Sequence, residues 1–280
     1  MSLKIAIYAP ALNESKNAEA WARSCAEADY RVVIDTGSTD DTKAILQAEG
    51  VTVYDAYIKP WRFDDAYNVS MALVPLDADI CICLHMDERL EPGWRDLVES
   101  HWNEDTTRLR YTYIWNWVAP GVPGRQWHGD RIHARQGYRW VGATHEGLCS
   151  RLPEIQAYCE QLRILHYPES KHKAGDLRLL EEAVREAPHD ARMRAYLGRE
   201  YMYHGIKDKC IATYKEFLTM PAWNVERGLA MQHLASIDTD NREYWLKSAI
   251  LETPLHREPL VELAKKYYHE QNWSECYKYA

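Results

Sequence analysis

The chain is 280 residues long and 46% hydrophobic, enough apolar material for two cores. Its net charge of −8 lies in the first part: residues 1–170 carry 17 Lys+Arg against 25 Asp+Glu, and residues 171–280 carry 17 of each. A generic nucleic-acid binder leans the other way, and the absence of an apolar run of about 18 residues predicts no membrane span. The N-terminus goes straight into Lys4-Ile5-Ala6-Ile7-Tyr8, a strand pattern and not a signal peptide. Seven cysteines is an odd number, and Cys81 and Cys83 alternate on one face of an apolar strand, where they pack. A reducing cytoplasm is the expected location.

In chain order, Ile5–Tyr8 is predicted as a first strand, and Pro10 to Ser15 as the loop after it. Asn17 to Ala28 has helical composition and carries Trp21. Arg31–Asp35 is a second strand that ends in an acid. Thr36 to Thr42 combines a turn with capping residues, Lys43 to Glu49 is a helix, and Val51–Tyr54 is a third strand. Such alternation predicts a parallel sheet with ligands at the strand C-terminal ends. Ile80–Leu84 is a short apolar strand that runs into His85-Met86-Asp87-Glu88. A carboxylate delivered there suits a hard divalent cation, and the cation suits a diphosphate.

From Arg108 to Arg139 six arginines face a single acid, Asp130. That run is either local charge variation or a cleft wall facing phosphates. Tyr111 to Gln126 alternates aromatics and then gathers Pro and Gly, a strand followed by a loop. With 11 Trp against 2 Phe, most indoles serve as core aromatics, while Trp115, Trp117 and Trp127 are candidates for an acceptor cleft.

After His166-Tyr167-Pro168 the pattern becomes helical from Lys171 to Ala187 and stays so. Pro188, Pro221 and Pro254 recur every 33 residues, close to the period of tetratricopeptide repeats. Tyr196 to Tyr201, then Cys210, Tyr214 and Phe217, resemble that repeat's small and aromatic knobs. Leu263, Ala264, Tyr267 and Cys276 look like another copy. The expected division is 1–170 for an α/β domain and 171–280 for an all-α repeat domain.

Val33 to Thr42, with Asp35 and Gly37 at its centre, resembles the nucleotide-sugar-binding half of family 2 glycosyltransferases of the GT-A (Rossmann-like) fold. Pro10-Ala11-Leu12-Asn13-Glu14 is similar to that family's first loop. Trp61 to Asn68 resembles its segment ending in Ala-Arg-Asn, and Leu84 to Leu90 its Asp-Ala-Asp-Glu metal motif. Trp140 to Glu146 resembles the Gly-x-x-His-Glu segment of the subgroup that carries helical repeats. The five segments come in the family's order over roughly residues 3–170.

The resemblance implies an inverting transfer from a nucleotide sugar, with a uridine diphosphate sugar as donor and Mn2+ or Mg2+ as cofactor. Asp35 would bond the base. Pro10, Asn13, Glu14 and Gly37 would frame the nucleotide, and Asn68 and His85 would contact it further along. Asp87 would bind the metal, with His145 as a second contact. Glu146 and Asp130 are the candidate bases, with Glu88 third. Two positions depart from the family: His85 replaces the first acid of the metal motif, and Tyr67 replaces the arginine of Ala-Arg-Asn. Arg62, Arg131 or Arg135 could supply the missing cation. The acceptor implied by helical repeats is a protein or peptide. A modified DNA base is the alternative, and a catalytically dead domain used as a binding module is a third reading.

Overall fold

Strand and helix alternate from the N-terminus, as the switching periods of the apolar residues require. The structure, a computed structural model, describes residues 3–168 and 177–280. The chain divides into two compact units, Met1–His172 and Lys173–Ala280.

The first unit opens with β1 (Ile5–Ala11), α1 (Ser15–Ser24), β2 (Tyr30–Asp35), α2 (Thr42–Ala48), β3 (Thr52–Asp55), α3 (Phe63–Ala72) and β4 (Ile80–Cys83). It continues through β5 (Glu88–Leu90), α4 (Trp94–His101), β6 (Arg108–Ile114), β7 (Trp117–Ala119) and β8 (Val122–Pro123). It closes with β9 (Gln126–Ala134), β10 (Tyr138–Val141), β11 (Gly147–Ser150) and β12 (Gln156–His166). Eight strands form one mixed sheet in the order β3-β2-β1-β4-β9-β6-β12-β5, while β10–β11 and β7–β8 are separate ribbons. The first four strands of that order are parallel, and β9 joins antiparallel to both β4 and β6.

Both faces of β1 are covered, so its residues read as a continuous apolar run instead of alternating. Ile5, Ile7 and Ala9 face Trp21, Val33 and Ile82 on one side. Ala6 and Tyr8 face Tyr67, Cys81, Cys83 and Trp140 on the other. Cys81 and Cys83 are buried free thiols, packed as the alternation predicted. The chain leaves β1 toward β2 on one side, and β4 lies on the other. The C-terminal ends of these three strands therefore open a crevice where the order reverses.

Two local expectations are corrected. β1 extends through Pro10 and Ala11, which pair with Ile34 and Asp35, so Pro10 belongs to a strand and not to the loop. The helix expected to reach Ala28 stops at Ser24, because Asp29 is drawn to β1. Its carboxylate accepts from Ile5 N at 2.8 Å, and its amide donates to Ile5 O at 2.9 Å.

The second unit is helical: α5 (Leu177–Glu186), α6 (Ala191–Tyr203), α7 (Lys207–Phe217), α8 (Asn224–Ile237), α9 (Arg242–Glu252), α10 (Glu258–His269) and α11 (Trp273–Tyr279). Residues 171–176 of the expected first helix lie outside the described residues. Pro188, Pro221 and Pro254 each sit just ahead of α6, α8 and α10, where a missing N–H costs nothing. Most predicted knobs are buried: Leu197, Cys210, Tyr214, Phe217, Leu263 and Tyr267 share one core, while Tyr196, Ala264 and Cys276 are half-buried. Gly198 lets α7 approach, since a Cβ there would lie 2.7 Å from the Tyr214 ring.

Candidate functional site

Asp35 ends β2 and is 4% exposed. Its Oδ1 accepts from Gly37 N (3.0 Å) and Ser38 N (2.8 Å), which orients the carboxylate. Its Oδ2 is buried and has no hydrogen-bond partner. A buried carboxylate oxygen left unpaired is costly, and a ligand donor at this strand end would satisfy it. Gly37, with φ +112°, leaves open space where a side chain would stand. A flat ring can approach the backbone there.

The loops after β1 and β2 are laced together around that opening. Asn13, at φ +54°, accepts from Thr39 N at 2.8 Å, and its own amide donates to Ser38 Oγ. Glu14 N donates to Thr42 Oγ1 at 2.7 Å, while the Glu14 carboxylate accepts from Asn17 Nδ2. Asp40 accepts from Ser15 N and Thr42 N. Burial works against the Asp40 charge, but these hydroxyl and amide donors hold its carboxyl well below the usual range. Asn13 and Glu14 thus shape the rim, and Pro10 lies in the strand beneath it.

Beyond β4 the chain turns through His85, Met86 and Asp87 into Glu88. The two acids behave oppositely. Glu88 is fully buried and accepts from Arg131 Nη2 (2.6 Å), Tyr113 OH (2.7 Å) and His85 N (2.8 Å). Burial opposes its charge, yet Arg131 beside it holds the carboxyl at about 2. Asp87 is one-third exposed and its Oδ2 meets His166 Nε2 at 3.2 Å. His166 in turn donates Nδ1–H to Trp115 O at 2.9 Å. Burial alone would lower His166, but two acceptors raise it above the ordinary imidazole value.

Tyr67 and His85, which differ from the motifs the sequence resembles, lie against each other. Tyr67 OH meets His85 Nε2 at 2.9 Å, and the rings stack at 5.4 Å and 27°. Burial lowers His85 to about 4, so its ring is neutral near pH 7. Donor atoms of His85, Asp87 and Glu88 all lie within 4.8 Å of one another, the one such cluster among the described residues. Glu88 is already engaged by three donors. A cation would therefore meet Asp87 and the His85 Nδ1 side, and take its remaining ligands from phosphate oxygens. That donor set fits Mn2+ or Mg2+ held together with a diphosphate.

His145 stands outside this cluster, exposed and at φ +50° on the loop between β10 and β11. That loop is pinned to α3: Gly142 N donates to Asp64 Oδ2, and Phe63 N to Ala143 O, both at 3.0 Å. Glu146, on the same loop, is half-buried. After burial, its charge is the largest cause raising the Tyr67 phenol, and it also raises the Cys83 thiol.

Asp130 does not join the group. Successive strand residues point to opposite faces: Arg131 reaches Glu88, while Asp130 meets Arg108 (3.3 Å) and Arg110 (3.5 Å). Much of the arginine run is likewise committed to protein partners, while Arg125 and Arg139 are exposed. Arg108 also binds Glu154, Arg131 binds Glu88, and Arg135 donates to Val74 O. Arg62 is bound to Asp64, so neither it nor Arg131 simply replaces the arginine missing at Tyr67. Asn68 spends both ends of its amide on the Trp140 main chain. Sequence reasoning missed His166, which lies 79 residues from Asp87 and has no local motif around it.

No family model matches the chain, and no curated protein matches it. Partial similarity exists to solved structures. One is glucosyl-3-phosphoglycerate synthase from Mycobacterium tuberculosis, in complexes with Mg2+ and UDP and with Mn2+ and UDP-glucose. Identity is 25% and the TM-score 0.34, over 40% of this chain and 44% of that one. Another is MamA, 17% identical with a TM-score of 0.32, over 37% of this chain and 61% of that one. The chain thus spans less than two thirds of each protein it matches. Likeness at these scores carries no argument about function, which rests on the site's own geometry.

Proposed function

We propose that the first unit is a nucleotide-sugar-dependent glycosyltransferase, using a uridine diphosphate sugar and a divalent cation in an inverting displacement. The observation that carries the reading is the unpartnered, buried Oδ2 of Asp35 at the end of β2, beside the open face of Gly37. A pyrimidine N–H would satisfy that oxygen, and the stacked space over Gly37 would take the ring.

Asp87, with His85 beside it, would hold Mn2+ or Mg2+, which supplies positive charge next to the departing diphosphate. Tyr67 orients His85 through the 2.9 Å hydrogen bond. Glu146, on the pinned loop, accepts the proton of the attacking hydroxyl; Asp130 is committed to Arg108 and Arg110. His145, exposed beside Glu146, would meet the diphosphate or metal from the loop side. The second unit, with its 33-residue recurrence, would serve as a repeat-type binding region.

The test is thermal stabilisation by UDP, with and without Mn2+, in wild type and Asp35→Ala. A ligand at 100 times its dissociation constant adds about 2.7 kcal/mol. Wild type should be stabilised, and Asp35→Ala should lose most of that gain while folding normally. Equal stabilisation of both would sink the assignment. A second reading follows from the neutral Tyr67–His85 contact, which removes an acid from the site: a nucleotide-sugar-binding module without turnover. Hydrolysis of UDP-glucose with added Mn2+ separates the two.

A further inference from the structure

Aromatic rings run without a gap from Asp87 out to solvent. The His166 imidazole, hydrogen-bonded to Asp87, stacks on Trp115 with centroids 4.4 Å apart and planes at 27°. Trp115 then approaches Trp127 at 5.7 Å and 33°. Tyr113 closes the inner side, 5.2 Å from Trp127 and 6.3 Å from Trp115, while its hydroxyl holds Glu88. Exposure rises outward along this series, from 6% at His166 to 42% at Trp115 and 49% at Trp127.

Two neighbouring indoles left in water are unusual, because each forgoes the burial that makes Trp favourable in a fold. Here they also flank the one cation-compatible cluster among the described residues. We infer that Trp115 and Trp127 form the floor of an acceptor subsite that takes a pyranose ring, so that the attacking hydroxyl is a sugar hydroxyl. This inference rests on the glycosyltransferase reading for the direction of transfer, but not for the binding itself.

The chemistry favours a sugar over the other candidates. A pyranose has an apolar C–H face that lies on an indole, and hydroxyls at its edge that bond carboxylates and imidazoles. The platform offers that combination, with the Asp87–His166 pair at its inner end. A nucleic acid would stack equally well but needs cations along its backbone. The guanidinium groups of Arg108, Arg110 and Arg131 are taken by Glu154, Asp130 and Glu88, which leaves Arg125 and Arg139 as the exposed arginines of that run, too few to follow a phosphate backbone. The surplus of acids over bases in residues 1–170 opposes it further. A peptide, the acceptor that helical repeats suggest, has no need of two contiguous indoles beside a carboxylate–imidazole pair. The outermost ring meets the ligand that enters last, so the pyranose belongs to the acceptor and not to the donor.

The test uses the full chain and isothermal titration with maltotriose, cellotriose and chitotriose, without nucleotide. At least one should bind wild type. Trp127→Ala should weaken that binding about tenfold or more, as loss of one stacking face predicts. Trp127→Phe should stay within about threefold of wild type, because the apolar face persists. Thermal stabilisation by UDP should be the same in all three proteins. Binding of none of the sugars, or unchanged binding in Trp127→Ala, overturns the inference. So does loss of UDP stabilisation in Trp127→Ala, which would place the rings at the donor. Sugar binding in a wild type that UDP does not stabilise leaves the platform standing and removes the donor assignment alone.

Discussion

Replacing Glu88 by Gln separates an acid that holds the crevice together from one that does chemistry. The Glu88 side chain is fully buried, and that of its partner Arg131 is 13% exposed, so water screens neither. Glutamine has nearly the same volume but removes the charge. The guanidinium is then left buried and uncompensated, and a broken buried pair of this kind costs about 3–5 kcal/mol. The Tyr113 hydroxyl and the His85 amide also lose a charged acceptor. The total is a large share of a typical stability of about 5–15 kcal/mol. Urea unfolding should show it as a fall in midpoint of about 1–2 M, for a slope of about 2–3 kcal/mol/M. Glu88→Leu combined with Arg131→Met should recover much of the loss, since a well-packed apolar pair avoids both desolvation penalties. A Glu88→Gln midpoint indistinguishable from wild type would refute the reasoning, because no buried, charged Glu88–Arg131 pair could then exist.

Asp87→Asn should change stability by no more than about 1 kcal/mol, since the carboxylate is partly solvated. It should abolish the extra thermal stabilisation that Mn2+ gives in the presence of UDP; retention of that increment would show that Asp87 is not a ligand. His133 is buried, with Tyr8 OH at 3.0 Å from Nε2, and burial lowers it to about 3. The unfolded chain, with an imidazole near 6.5, therefore takes up a proton first as pH falls. That contribution is intact above pH 6.5 and is lost toward pH 3, by up to about 1.4 kcal/mol per pH unit. Urea titrations at pH 7 and 5.5 should show the slope in wild type and a smaller one in His133→Gln; equal slopes would contradict it. Gly198→Ala drives a Cβ into the Tyr214 ring of the helical unit. It should cost about 1–3 kcal/mol, seen as a lower unfolding midpoint, and no loss would mean that the ring can step aside.

The parallel half of the sheet was readable because each of its strands is a short apolar run next to its own helix. Ile5–Ala9, Arg31–Asp35 and Ile80–Cys83 carry their period locally, and pairing among them needs no information from afar. The other half was not. β9 meets β4 and β6 across long loops, and β12 mixes polar and apolar residues with a register shift between Cys159 and Arg163. Side chains that converge through such pairings cannot be found by spacing. His166 reaches Asp87 only because β12 runs beside β5. Asp130, a candidate base beside Glu146, is also the single acid in an arginine run. Those arginines are the reason it is occupied elsewhere. The sequence reading gave Asp87 to the metal, but not the partners of Glu88, since Arg131 and Tyr113 reach it from distant strands.

Tyr67 and His85 looked in sequence like two separate losses, one of a cation and one of an acid. In the fold they lie against each other. An arginine and an aspartate at these positions would face each other as charges. A phenol and an imidazole face each other as a neutral hydrogen bond, with the Trp140 ring stacked 4.7 Å behind Tyr67. A neutral pair here leaves no charge buried alone, which is the costly outcome. Nδ1 of His85 lies on the other side of the ring, 3.6 Å from Glu88 Oε1. When Nε2–H donates to the Tyr67 oxygen, Nδ1 presents its lone pair on the side of Asp87 and Glu88, the geometry that a cation ligand needs. In that tautomer His85 would offer a second donor to a divalent ion beside Asp87. A cation held by one carboxylate and one imidazole depends on the diphosphate for the rest of its shell, so metal and nucleotide should bind as a unit.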